Sequence, residues 1–211
     1  MKNKSAFLMV VALFLVSLNL RPAINSVSPV LSAITKDLGM SAFAASLLTS
    51  IPVLCMGIFP AFAVRLGHRL GMERVIGWSL AVIGAGTVLR LFAGSAFFLL
   101  GTALIAGIGI AAVGPSLSGF IKQRFPAKVP SMIALYSVAL ALGATLASGL
   151  SVPLQARLQS WQSALALWAV LALIAIPVWW LFVSRKAERP TDGEAGARPP
   201  SCLGPAGRPG R

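Results

Sequence analysis

LFAGSAFFLLGTALIAGIGIAAVGPSLSGFI, residues 91–121, contains no Asp, Glu, Lys, Arg or His. A helix crosses a hydrocarbon core with about 20 mainly apolar residues. Phe97–Phe120 meets that need by itself, after the small-residue turn Ala93-Gly94-Ser95-Ala96. Five more charge-free runs flank it: Ser5–Leu20, Leu38–Val64, Val75–Leu89, Val129–Ala156 and Leu158–Ser184. The chain is 57% hydrophobic and 11% charged, against about 25% charged in ordinary soluble domains. None of the runs alternates with period two, which excludes a β-barrel. The expectation is an all-α membrane protein of six spans. It divides into residues 1–5, a six-helix domain over 6–185, and a polar tail over 186–211.

The net charge of +13 suggests nucleic acid at first sight, but a basic footprint needs a soluble face. The loops explain it instead. With the N-terminus inside, the inner segments hold Lys2, Lys4, Arg65, Arg69, Arg74, Lys122, Arg124, Lys128, Arg185 and Lys186; the outer ones hold Lys36 and Arg157. Ten against two obeys the positive-inside rule at every loop and gives an N-in, C-in topology. Met1–Leu20 resembles a signal peptide, yet no A-x-A site follows and five spans come after. Cys55 lies in a span and Cys202 in the tail, so they are not expected to pair.

The first span, about Ser5–Ile34, is interrupted by Asn19, Arg21, Pro22, Asn25, Ser26 and Pro29. Gly39 is the expected helix stop after it. Pro52 and Pro60 are expected to bend span two (about Ala42–Val64). Gly101, Gly107, Gly109, Gly114 and Gly119 in span four, with Gly143 and Gly149 in span five, are expected to admit close helix contacts. Trp161 and Trp179–Trp180 mark the two interfaces of span six. The segments 21–26 and 114–119 are both proline-plus-polar interruptions, in corresponding members of two three-helix units. Such a pairing is the mark of inverted repeats around a transporter binding site.

Arg21 is the most informative residue. It lies about 22 Å into the helix counted from Ala6, at ~1.5 Å per residue, inside a core of about 30 Å. An arginine at depth costs at least about 2.5–3.5 kcal/mol, so it should face protein or a watery cavity. Ser17, Arg21, Asn25 and Ser28 share one helical face. That stripe suits a small anion or a polar planar solute, since a guanidinium matches carboxylate-like groups with a rigid fork. The competing reading is an arginine that snorkels or binds backbone carbonyls. No acidic residue falls within the six spans as read, so no ion pair is expected there. Arg90, near the outer rim of span three, is expected to snorkel. Thr49, Ser50, Ser116 and Tyr136 are further cavity candidates, with helix–helix hydrogen bonding as their competing role. No metal cluster, cofactor motif or nucleophile–base pair is visible, so neither a cofactor nor enzymatic activity is expected.

Between spans two and three the chain reads Pro60-Ala61-Phe62-Ala63-Val64-Arg65-Leu66-Gly67-His68-Arg69. This resembles the major facilitator superfamily's signature loop, Gly-x-Leu-Ala-Asp-Arg-x-Gly-Arg-Arg. Arg65, Gly67 and Arg69 match; Pro60, Val64 and His68 depart. The resemblance implies a conformational-gating loop at Arg65, Gly67 and Arg69, with Val64 standing where the family's inner charge lock has its aspartate. Asn19-Leu20-Arg21-Pro22-Ala23-Ile24, Leu47-Leu48-Thr49-Ser50-Ile51-Pro52, Gly107-Ile108-Gly109-Ile110-Ala111 and Ile121-Lys122-Gln123-Arg124-Phe125-Pro126 are similar to its cyanate and nitroimidazole transporter branch. Over residues 6–184 the likeness covers the first six of the family's twelve helices. It implies a secondary transporter in the inner membrane, both ends cytoplasmic, moving a small anion or polar heterocycle. Its substrate contacts would be Arg21, Asn25, Ser17, Thr49, Ser116 and Tyr136. The tail has ten Pro or Gly among its last 26 residues and is expected to be disordered. It begins where a linker to a seventh helix is due, so a truncated half is expected; the alternative is a half that pairs with a separate second half or a second copy. The rival is a non-transporting six-helix scaffold or assembly subunit.

Overall fold

In the computed structural model, residues 2–181 are described; the expected tail at 186–211 lies outside them. Among the described residues every regular element is helical. Span one is α1 (Lys2–Leu20), α2 (Pro22–Asn25) and α3 (Val27–Asp37). Span two is α4 (Ala42–Ile58) and α5 (Pro60–Leu70); span three is α6 (Met72–Leu89), followed by a 3₁₀ turn at Arg90–Phe92. Span four is α7 (Ala96–Arg124), span five α8 (Val129–Leu158), and span six α9 (Trp161–Leu167) with α10 (Ala169–Trp179). Five spans are long and apolar enough to cross a membrane, and the bent α4–α5 pair makes a sixth.

Proline sets the bends. Pro60 has no N–H to return to the Met56 carbonyl, and α5 departs from α4 by 53° there. Pro52, by contrast, stays inside a continuous α4. Span one breaks at Arg21, before Pro22, and again at Ser26. Span four runs unbroken through Pro115, so the expected matching interruption occurs in span one only. Gly39, at φ 57°, ends the first span as expected. The stretch 60–69 was expected as a loop but is helical. The chain reverses at Gly71, whose φ of 89° side chains rarely adopt, so Arg65, Gly67 and Arg69 ride on α5.

Spans three and four pack along much of their length, span two lies on span four, span five on span one, and span six on spans three and one. A methyl at Gly109 would lie 2.7 Å from Ile83 Cγ1 and 2.9 Å from the Ser79 carbonyl oxygen. One at Gly143 would strike the Leu18 carbonyl, an oxygen whose helical donor Pro22 removes. Gly101, Gly114 and Gly149 meet nothing within 4 Å, so the expectation of close packing fails for these three. Two apolar clusters result: one around Leu13, Ile76, Leu80, Leu117, Phe120 and Trp179, the other around Val30, Ile34, Leu48, Leu99, Trp161 and Leu165.

Span six is tied at both ends. Trp161 Nε1 donates to Asp37 Oδ2 at 2.8 Å, and Trp179 Nε1 donates to the Glu73 carbonyl at 2.8 Å. Both indoles are buried and clamp the ends of span six to its neighbours, while Trp180 beside Trp179 is exposed. The two acids belong to helices that run past the expected span ends. Glu73 also accepts from Arg124 Nε at 3.1 Å and Nη2 at 2.6 Å, joining the ends of spans three and four.

Candidate functional site

A backbone that breaks inside a membrane leaves carbonyls needing partners, and the break in span one organises this region. The Arg21 carbonyl accepts from the Ile24 and Asn25 amides at 3.1 and 2.9 Å. The Ala23 carbonyl, two residues on, accepts from Arg90 Nη2 at 2.9 Å. Arg90 is 1% exposed, which corrects the expected snorkelling: its guanidinium reaches inward to span one. A freed carbonyl is a better partner for a cation at this depth than a path to water. Arg90 Nε and Nη1 have no partner among the described residues, and neither do Asn19 Nδ2, Ser26 Oγ and Ser116 Oγ.

Arg21 itself is half-buried. It lines a crevice of about 40 Å³ with Leu20, Ile24, Met56, Ile110, Gly114, Tyr136 and Leu140. Spans one, two, four and five all contribute, so a cation and a phenol from distant parts of the sequence share one apolar-walled recess. Gly114 presents no side chain there, which leaves room beside the guanidinium.

The other candidates fall elsewhere. Asn25 is half-buried, one turn along from Arg21, and does not line the crevice. Ser17 is fully buried and donates to the Leu13 carbonyl at 2.6 Å. Thr49 is half-buried and donates to the Ser46 carbonyl at 3.0 Å. Ser116 is buried on α7. Arg65 and Arg69 lie on α5 beside a separate, larger groove, while Gly67 is buried. Sequence reasoning missed the Glu73–Arg124 pair, because 51 residues separate its members and no local pattern links them. It also missed the inward turn of Arg90, which depends on a carbonyl 67 residues away. Among the described residues no His, Cys, Asp and Glu group could hold a metal ion.

Several known proteins are similar to this chain in sequence or fold. The chain is 40% identical over 179 residues to the uncharacterized transporter YycB of Bacillus subtilis (strain 168), covering 84% of this chain and 44% of that protein. It is 33% identical to the cyanate transport protein CynX of Escherichia coli (strain K12), covering 84% of this chain and 46% of that one. It is 29% identical to the 2-nitroimidazole transporter of the same organism, covering 85% and 45% respectively. The chain thus spans about half the length of the curated relatives it matches. Among solved structures, a peptide transporter POT in complex with sulfate superposes with a TM-score of 0.70 at 18% identity, over 82% of this chain and 37% of that one. A POT family transporter in complex with 5-aminolevulinic acid gives 0.71 at 17%, over 84% and 38%. At such identities the likeness concerns the fold. The Major Facilitator Superfamily model matches residues 6–207. By that match and its apolar helices, the chain is a multi-pass membrane protein belonging to the Major Facilitator Superfamily.

Proposed function

We propose that the chain is the first half of a secondary transporter for a small anion or a polar heterocycle, with Arg21 as the substrate-binding cation. The observation that carries this is the shared crevice of Arg21 and Tyr136. A fixed guanidinium attracts an anion or a strong dipole; a phenol beside it donates to, or accepts from, a planar polar solute. Asn25, Ser17, Thr49 and Ser116 are proposed as supporting polar groups around it. Similarity to a cyanate and a nitroimidazole transporter favours this substrate class.

The helix pairings support an inverted three-plus-three repeat, and the basic inner loops support the N-in, C-in orientation proposed with it. Advancing each span by three converts the one–five pair into four–two and the one–six pair into four–three. The three–six pair maps onto itself. Each of these pairs packs in the structure. Odd-numbered units of alternating helices are necessarily inverted. The partner surface has its own support. Ser137, Ala141, Thr145 and Ser148 form an exposed small or polar stripe on α8, and Ser46, Ser50 and Gly57 form one on α4. Lipid has nothing to offer such faces, while a second helical bundle can pack on them.

Uptake of labelled cyanate and 2-nitroimidazole into proteoliposomes tests the reading. Transport is expected when these helices are joined by a matching second six-helix half, and none from the chain by itself. Arg21→Ala should lower uptake about 10- to 100-fold, the range for a hydrogen bond to a charged group. Full uptake by Arg21→Ala would remove the arginine from the site. No transport in any pairing would leave the scaffold reading.

A further inference from the structure

The bend at Pro60 creates a second cavity, remote in kind from the first. Because α5 turns 53° away from α4, a groove of about 670 Å³ opens between α5 and the middle of α7. That lies within the ~300–1,000 Å³ of ligand-sized clefts. Its floor is apolar: Phe59, Phe62, Leu66, Ile108 and Ala112. Its rim is basic: Arg65, His68 and Arg69.

The groove lies on a different side of α7 from the Arg21 crevice. The crevice uses Ile110 and Gly114, whereas the groove uses Ile108 and Ala112, which at about 100° per residue point roughly oppositely. Between the two directions, Gly107 is pressed against Pro52 of span two. The groove therefore opens away from the proposed substrate path.

Its chemistry is that of an amphipathic helix lying at a membrane surface. Phe59, at the bend that caps α5, is followed at three- and four-residue steps by Phe62 and Leu66 on one face of α5. Arg65 and Arg69, four apart, sit on the neighbouring face, both exposed and without an ion-pair partner among the described residues. No acidic residue lines the groove, and Glu73, the nearest acid in sequence, is engaged by Arg124. Two rigid guanidinium forks one turn apart suit phosphate oxygens, and the greasy floor beside them suits an acyl chain.

We propose that this groove binds one anionic phospholipid, its phosphate on Arg65 and Arg69 and an acyl chain along Phe59, Phe62, Leu66 and Ile108. A zwitterionic lipid would bring its own cation to the same rim, so the site selects for net negative charge. This site is independent of the transport reading, since nothing in it touches Arg21.

The purified chain, reconstituted in phosphatidylcholine vesicles with traces of spin-labelled lipid, gives the test. Spin-labelled phosphatidylglycerol should bind at least about fivefold more tightly than the phosphatidylcholine analogue, the scale of one basic side chain acting on an anionic headgroup. R65Q/R69Q should bring the ratio near one. K122Q/K128Q, which alters basic residues of the same end outside the groove, should keep it. Equal binding of both lipids by the unmodified chain overturns the proposal, as does equal loss of preference in the two double variants. A photoactivatable acyl chain on phosphatidylglycerol gives a reading on the unmodified chain, whether or not the variants fold. Crosslinks should fall within 59–66 and 108–112. Crosslinks elsewhere, or a second copy of the chain captured at these peptides, overturn it.

Discussion

Arg90 shows how one side chain can be costly and still necessary. A buried guanidinium gives up hydration worth several kcal/mol and here recovers a single bond, to the Ala23 carbonyl at 2.9 Å. Removing it exposes the other side of the bargain: a carbonyl left dry at a helix break, plus an empty volume. Arg90→Ala is therefore expected to destabilise the bundle by about 3 kcal/mol, from the lost carbonyl partner and the cavity together. Arg90→Met keeps most of the volume and discards the buried charge, so it should cost less than half as much. Thermal unfolding in mild detergent measures both, and equal losses would disprove the partition. Tyr136→Phe removes only the phenol oxygen from the crevice and should weaken solute binding about 3- to 10-fold without changing stability. That Arg21 interrupts an apolar run beside Pro22 was legible from the sequence alone. Its companionship with Tyr136 was not, because 115 positions separate them and only the packing of span five on span one closes that distance.

At the scale of helices, small residues decide which spans can touch. Span five buries only Ala139, Gly143, Ala147 and Ser151, a stripe at four-residue steps. Gly143 is the point at which α8 meets the Leu18 carbonyl. Gly143→Ala should force the two helices apart and cost about 1–3 kcal/mol, the usual penalty for overpacking. Gly149→Ala, six residues on and facing open space, should be neutral or stabilising by up to about 1 kcal/mol through helix propensity. Melting temperatures of the two variants, side by side, check the assignment; equal effects would contradict it. The glycine content of spans four and five announced close packing, but not which glycines. That depends on rotation of each helix about its axis, which its own sequence leaves open. The interruption in span one was legible from Pro22 and its polar neighbours. Pro115 carried the same local signal, yet α7 stayed continuous through it.

Across the whole molecule, the two ends of the bundle are fastened differently. One end relies on Trp161 and Asp37; the other on Glu73, which joins Arg124 through its carboxylate and Trp179 through its backbone. The Glu73 and Arg124 side chains are 16% and 36% exposed, so solvent screening limits their pairing to about 1 kcal/mol or less. A double-mutant cycle with Glu73→Gln and Arg124→Gln should return a coupling in that range, shrinking as salt rises. A coupling above about 3 kcal/mol would mean the pair is drier than its exposure indicates. The Trp179 bond should survive either substitution, since it uses the Glu73 main chain.

The order of greasy and basic segments determined that this chain lives in a bilayer as about six helices. Hydrocarbon admits only apolar segments with internally satisfied backbones, and that constraint acts on each segment separately. Tertiary packing alone decided where the polar exceptions go: Arg90 inward to a broken helix, Arg21 beside a distant tyrosine, and the basic helix α5 out over a groove. These outcomes turn on helix rotation and on carbonyls freed far away in the chain, and neither quantity is written in a local run of residues.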